Sequence, residues 1–155
     1  MAIFDKKYCV ILFYMCYNLL RGDLVNNRMN KEKLLELLST LKIDKEEFWI
    51  LSSGSLVLRN IYPDASDLDI AVTDKGLEEL KQNYELTFKD NGWFIVSDKI
   101  EGICDGPKDK LKYQPEQVSG YYVQNIKEYY EYLCNSEREK DKKRIPIVKK
   151  YMKQL

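Results

Sequence analysis

The chain contains no histidine at all. That absence excludes a Ser-His-Asp triad, a histidine general base and any histidine-ligated zinc. Net charge is missing as well. Lys plus Arg number 25 and Asp plus Glu number 25, so no global field advertises nucleic acid or a membrane surface, and any basic patch has to be local. The same balance disfavours a long nucleic-acid track, which needs clustered Lys and Arg. The four cysteines, Cys9, Cys16, Cys104 and Cys134, form no C-x-x-C pair. They read as reduced, buried thiols of a cytoplasmic protein, not as a metal site or a disulfide framework. A bilayer-spanning run is also lacking. The most apolar stretch, residues 8–20, has thirteen residues where about 20 are needed. It follows Lys6-Lys7 as a signal-peptide core would, but no small-x-small cleavage site comes after it. A core or docking helix, an oligomer contact and an extension foreign to the domain all remain open for it.

What is present suits one soluble domain. At 155 residues, with 45% apolar and 32% charged residues, the chain can bury a single core. Residues 1–28 read as a peripheral N-terminal extension and residues 29–155 as the domain, with Asn30 placed to cap its first helix.

The chemistry concentrates between Leu51 and Val72. Phe48-Trp49-Ile50-Leu51 has the character of a buried strand, and Leu56-Val57-Leu58 can open a short helix. Gly54-Ser55 would then occupy a strand-to-helix turn, where free N–H groups favour an anion, glycine admits close approach of a phosphate and serine offers a hydroxyl. After a loop marked by Tyr62-Pro63-Asp64, the segment Asp67-Leu68-Asp69-Ile70-Ala71-Val72 alternates polar and apolar residues as a strand does. The two carboxylates therefore project from one face, roughly 6.6 Å apart along the backbone. Hard cations take such oxygen ligands and share them with phosphates, and two ions about 3.5–4 Å apart can clamp a phosphoryl transfer.

Gly54-Ser55, eleven residues, then Asp67-Leu68-Asp69-Ile70 resembles the signature of the nucleotidyltransferase superfamily that includes DNA polymerase beta. The likeness is nearest to small bacterial members such as lincosamide nucleotidyltransferases and toxins of AbiEii type. It implies a minimal nucleotidyltransferase fold of α+β class, a short mixed β-sheet flanked by helices with a helical C-terminus. By the same resemblance Asp67 and Asp69 hold Mg²⁺, two ions in all. Gly54, Ser55 and Ser66 bind the nucleotide. Ile100-Glu101-Gly102-Ile103 has the form in which the family carries its third carboxylate, so Glu101 completes the metal site or acts as general base, with Asp105 in reserve. Ser136-Glu137-Arg138-Glu139-Lys140-Asp141 resembles an Arg-x-Lys-Asp element of the family, in which Arg138 and Lys140 reach the triphosphate and Asp141 orients them.

Elsewhere the pattern predicts helices over 31–41, 75–83 and 123–134, and strands over 47–51, 84–88, 92–97 and 99–104, with a hairpin turn at Asn91-Gly92. In the 123–134 helix the stripe of Tyr122, Ile126, Tyr129, Tyr130 and Leu133 reads as core before it reads as a base-stacking platform. Residues 106–110 make a turn that either lies over the nucleotide or is plain solvated surface. Ser136 with Glu139 forms a capping box for a last helix that Pro146 kinks or breaks.

The expected activity is Mg²⁺-dependent transfer of a nucleoside monophosphate from a nucleoside triphosphate to a hydroxyl, on a small molecule or an RNA end. The alternative is a catalytically idle copy of the fold acting as a binding or toxin–antitoxin module. No membrane is expected as a partner, and residues 8–20 could support an oligomer.

Overall fold

The computed structural model describes residues 27–155. The 8–20 stretch, and the oligomer contact considered for it, lie outside the described residues.

Asn30 begins the ordered helices: its side chain accepts the Lys33 N–H at 2.9 Å and so caps α1 (Lys31–Thr40). Leu34 and Leu38, one turn apart, are the residues this helix buries. Strand β1 (Phe48–Ile50) is buried along its whole length. Helix α2 (Ser52–Leu58) starts almost at once, four residues before the Leu56 opening that the sequence suggested. Two bonds force the early turn. The Leu51 N–H donates to the Asp69 carbonyl at 2.8 Å, and the Ser52 N–H donates to Gln124 Oε1 at 3.0 Å. Asn60, at φ 62°, ends α2 with a Schellman pair in which Ile61 N–H reaches the Leu56 carbonyl.

Strand β2 (Leu68–Val72) carries Asp69, and Asp67 stands one residue before it, where the sequence had placed the strand's first residue. Helix α3 (Asp74–Asn83) follows under a Thr73 cap, as the sequence indicated. Next come β3 (Thr87–Phe88), β4 (Trp93–Ile95), β5 (Ile100–Cys104), β6 (Glu116–Val118), β7 (Tyr121–Val123), α4 (Ile126–Asn135) and α5 (Glu139–Lys153). One seven-stranded sheet runs in the order β3-β4-β5-β2-β1-β7-β6. Its centre mixes directions: β2 pairs antiparallel with β1 and parallel with β5, while β7 pairs parallel with β1. The chain is thus α+β, a mixed sheet flanked by helices and closed by a C-terminal helix.

Three expectations need correction. The β6–β7 hairpin was not foreseen, and Val123, assigned to a helix, instead pairs with Ile50. Its turn is Ser119-Gly120, both at positive φ, a two-residue signal between Val118 and Tyr121 that favours a hairpin. There is no capping box at α5. The Ser136 hydroxyl donates to Asp141 at 2.7 Å and accepts the Arg138 N–H, and the helix opens only at Glu139. Pro146 does not break its helix, which continues to Lys153. Packing of Ile145 and Val148 on either side of it, against Leu56 and Tyr129, outweighs the one lost backbone bond. The cysteines differ as well: Cys104 is half-buried and Cys134 exposed.

Two cores position the site. The larger joins Phe48, Ile50, Leu68, Ile70 and Val72 to Leu34, Leu38 and Leu80 of the helices. The smaller clamps Leu56 of α2 between Ile126, Tyr129 and Leu133 of α4 and Val148 of α5. Arg59, whose side chain is 2% exposed, ties these parts together. It meets Glu116 at 3.3 Å, the Gln124 carbonyl at 3.0 Å and the Tyr151 hydroxyl at 3.1 Å. The C-terminal helices are thereby fixed over the end of α2, beside β2. Among the described residues no helix is long and apolar enough to cross a membrane.

Candidate functional site

β2 presents Leu68, Ile70 and Val72 to the main core. Period-2 alternation turns Asp69 to the opposite face, and Asp67, just outside the strand, reaches the same cleft. That cleft has a volume of about 370 Å³. Its cationic wall is made by Arg138, Lys140 and Arg144 from the start of α5, and by Arg28, paired with Asp64 at 2.6 Å, from the segment that bridges to Ala65 just before β2. Ser52, Ser53 and Ser66 supply hydroxyls, and Tyr62 and Tyr132 supply rings.

The charges on the acid wall are uncomfortable. The Asp69 carboxyl is pushed up to about 6 by burial first, then by the nearby charges of Glu101 and Asp67, with Lys89 and Arg138 pulling the other way. Asp67 is exposed and has the Ser66 hydroxyl at 3.3 Å. A cation beside Asp69 would offset its burial and the neighbouring negative charge.

The cationic wall is braced instead. Asp141, its side chain 3% exposed, accepts from Ser136 and stands 3.7 Å from Arg138 Nε and 3.8 Å from Arg144 Nη1. Arg144 Nη1 also donates to the Tyr129 hydroxyl at 2.9 Å, and the guanidinium lies 5.3 Å from the Tyr62 ring centroid. Its buried Nε has no partner. Asp141 therefore orients arginines, Arg144 among them, which the Arg-x-Lys-Asp element did not include. The i, i+3 spacing of 138, 141 and 144 was the available signal.

Two of the nucleotide residues drawn from the resemblance fall elsewhere. Gly54 and Ser55 are buried and do not line the cleft. A Cβ on Gly54 would stand 2.8 Å from Ile50 Cγ2 and 3.6 Å from Leu68 Cδ1, so this glycine lets α2 lie close on β1 and β2. Ser55 Oγ donates to the Ser52 carbonyl at 2.6 Å. Ser52 and Ser53 face the cleft in their place, because the helix starts at Ser52. Ser52 is held at φ 52°, an uncommon left-handed conformation for a serine.

Glu101 stands in register with Asp69 on the parallel strand β5, beside the cleft rather than in its lining, and is engaged by Lys89 Nζ at 2.8 Å. Asp105 is no substitute. It lies four residues beyond Glu101, about 13 Å further along the strand direction, with its N–H on the Val72 carbonyl. Among the described residues no three acidic or cysteine side chains gather closely enough to hold an ion by themselves. The 106–110 turn does not line the cleft: Lys108 donates to the Glu46 carbonyl at 2.7 Å and covers the Tyr122 ring at 4.1 Å. Arg28, the last residue assigned to the peripheral extension, does line it. Comparison with protein-family models, with curated proteins and with solved structures finds no match to this chain.

Proposed function

We propose that the chain is a Mg²⁺-dependent nucleotidyltransferase that moves a nucleoside monophosphate from a nucleoside triphosphate to a hydroxyl acceptor. One observation carries this: two aspartates, one on β2 and one just before it, and four cationic side chains line a single cleft of about 370 Å³. A ligand that satisfies both walls has to bring cations to one and dense anionic charge to the other. A metal-bound triphosphate does both.

The donor set fits Mg²⁺, since Asp67 and Asp69 offer hard oxygens and Asp69 is held in its charged form at a cost that a cation removes. Asp67 and Asp69 would hold the ion, with the remaining ligands left to phosphate oxygens and water. When bound, the metal neutralises charge building on the phosphate oxygens during transfer. The chain's own residues do the remainder. Arg138, Lys140 and Arg144 hold the β- and γ-phosphates and receive the charge of the departing pyrophosphate, arginine by its planar fork and lysine as a point charge. Ser52, Ser53 and Ser66 donate hydroxyls to phosphate oxygens. The acceptor oxygen forms its bond to the α-phosphorus as the bond to the bridging oxygen breaks. Glu101, oriented by Lys89, is the carboxylate next to Asp69 that can take the acceptor's proton.

The test is direct. Purified chain is incubated with Mg²⁺, each labelled nucleoside triphosphate and cell extract, and the label is followed into an acceptor. Wild type labels a discrete product, while Asp67→Asn and Asp69→Asn do not. In parallel, Mg²⁺ with a triphosphate raises the melting temperature, because a ligand selective for the folded state must stabilise it. No thermal shift and no labelling would end the proposal. A thermal shift without labelling of any acceptor leaves a nucleotide-binding module without transferase activity.

A further inference from the structure

One aromatic in the cleft has no structural task. Tyr132 keeps 49% of its surface exposed, although it sits on a helix whose other ring at the same turn, Tyr129, is 1% exposed. The two rings are stacked, with centroids 6.1 Å apart and planes 13° from parallel. Tyr129 cannot move, because it is packed with Leu56, Leu133 and Val148 and its hydroxyl is fixed by Arg144. Tyr132 is thus a flat ring with a rigid backing, open on its outer side and part of the wall that also carries Arg138 and Lys140. Phe88, another exposed ring, shows the contrast: it lies in edge strand β3, packs on Phe94 at 5.5 Å and is covered by Lys81.

We infer that Tyr132 is the stacking platform for the nucleobase, an aromatic subsite at the end of the cleft that the phosphate groups leave free. This subsite presupposes the nucleotide site proposed above. The platform is an aromatic face, so recognition is by overlap of π-surfaces and any base is accepted, purines more tightly than pyrimidines through their larger ring. The aromatic stripe at Tyr122, Ile126, Tyr129, Tyr130 and Leu133 pointed toward core, and its buried members are core. Tyr132, outside that stripe, faces outward and takes the ligand.

Calorimetry on the full chain with Mg²⁺ tests this with two probes: each nucleoside triphosphate, and inorganic tripolyphosphate as the same charge without a base. Tyr132→Ala should weaken nucleoside triphosphates by about 5- to 100-fold, the effect of removing one stacking aromatic, and leave tripolyphosphate unchanged. Tyr132→Leu, which keeps bulk without an aromatic face, should behave like alanine, and Tyr132→Trp should retain or tighten binding. Equal weakening of both probes by Tyr132→Ala, or no weakening of either, overturns the platform while the phosphate site stands. Failure of wild type to bind either probe removes the nucleotide site and the platform with it.

Discussion

The two walls of the cleft are built on opposite terms. On the cationic wall the two arginines of the last helix share one buried carboxylate. Ser136 holds Asp141, Asp141 stands between Arg138 and Arg144, and Tyr129 and Tyr62 steady the second arginine. On the acid wall two carboxylates line the cleft with Glu101 adjacent to Asp69, and among the described residues neither Asp67 nor Asp69 has a basic group within ion-pair distance. A fold tolerates such local conflict at a functional site, and under the proposed function the cation would resolve it.

The sharpest way to break the contrast is to neutralise the acid wall. Asp67→Asn or Asp69→Asn should lower nucleotidyl transfer on the order of 10²–10³-fold or more, the scale on which single fixed charges act on a developing transition state. Both variants should still fold, because the hydrogen bond Asp67 accepts is an exposed one from its neighbour Ser66, which asparagine can also accept. Steady-state transfer rates beside thermal melts check both halves of the statement.

The next effect lies on the braced wall and has the opposite character. Asp141→Ala removes the group that Ser136, Arg138 and Arg144 share, and leaves the mostly buried Arg144 facing a hole. Breaking a buried charge pair costs about 3–5 kcal/mol. Here the contacts are 3.7 and 3.8 Å and Arg138 is more than half exposed, so a loss of about 2–3 kcal/mol in urea unfolding is expected. Asp141→Asn, which keeps the Ser136 bond, should recover a large part of it. A destabilisation as small for Asp141→Ala as for Asp67→Asn would erase the distinction between the walls.

Much of this was readable in the residues, for physical reasons. Strand alternation fixes the face of Asp69 once Leu68 and Ile70 are recognised as core, and Asn30 and Thr73 announce their helices through cap chemistry. The start of α2 was not readable. It depends on Gln124, seventy-two residues away in sequence, which takes the Ser52 N–H. The placement of Gly54 and Ser55 inside the helix, with Ser52 and Ser53 at the cleft, follows from that, since shifting a helix start by one turn exchanges which residues face the cleft. Arg144 and Tyr132 were hidden for a different reason. Each is one member of a charged or aromatic run, and only the packing of α4 against α5 selects the member that turns to the cleft. The β6–β7 hairpin had a local signal in Ser119-Gly120, outweighed by the helical period of the residues that follow it.

A smaller effect sharpens the comparison through pH. The Asp69 carboxyl, ordinarily at 3.8, stands at about 6 in the folded chain. The folded state therefore holds the proton more tightly than the unfolded state, and ionisation works against folding. The penalty is absent below about pH 4, grows between 4 and 6 and is complete above 6. Without metal, Asp69→Asn should consequently be more stable than wild type at pH 7.5, by about 1–2 kcal/mol once the group's remaining exposure is discounted. The gain should fade as the pH falls through that window. Mg²⁺ should stabilise wild type more at pH 7.5 than at pH 5, and should do little for the asparagine variant. An Asp69→Asn gain that is flat from pH 4 to 8 would mean that the acid wall is not strained by charge.

The smallest effect concerns Ser52, where backbone strain and ligand contact coincide. Its φ of 52° suits glycine better than serine, and the conformation is imposed by the bond from its N–H to Gln124 and the acceptance of Ser55 Oγ by its carbonyl. Ser52→Gly keeps both backbone bonds, relieves about 1 kcal/mol of left-handed strain and adds chain entropy to the unfolded state, so stability should change by less than about 1 kcal/mol. Affinity for Mg²⁺–triphosphate should nevertheless fall about 5- to 10-fold, because one hydrogen bond to a charged oxygen disappears. Ser52→Ala separates the two contributions: it loses the same hydroxyl and keeps the strain. Equal loss of nucleotide affinity in both variants assigns the effect to the hydroxyl, whereas loss in glycine alone would assign it to a loosened turn. The strained residue would then serve the site through its backbone, as a rigid corner between β1 and α2, and the hydroxyl contact would pass to Ser53.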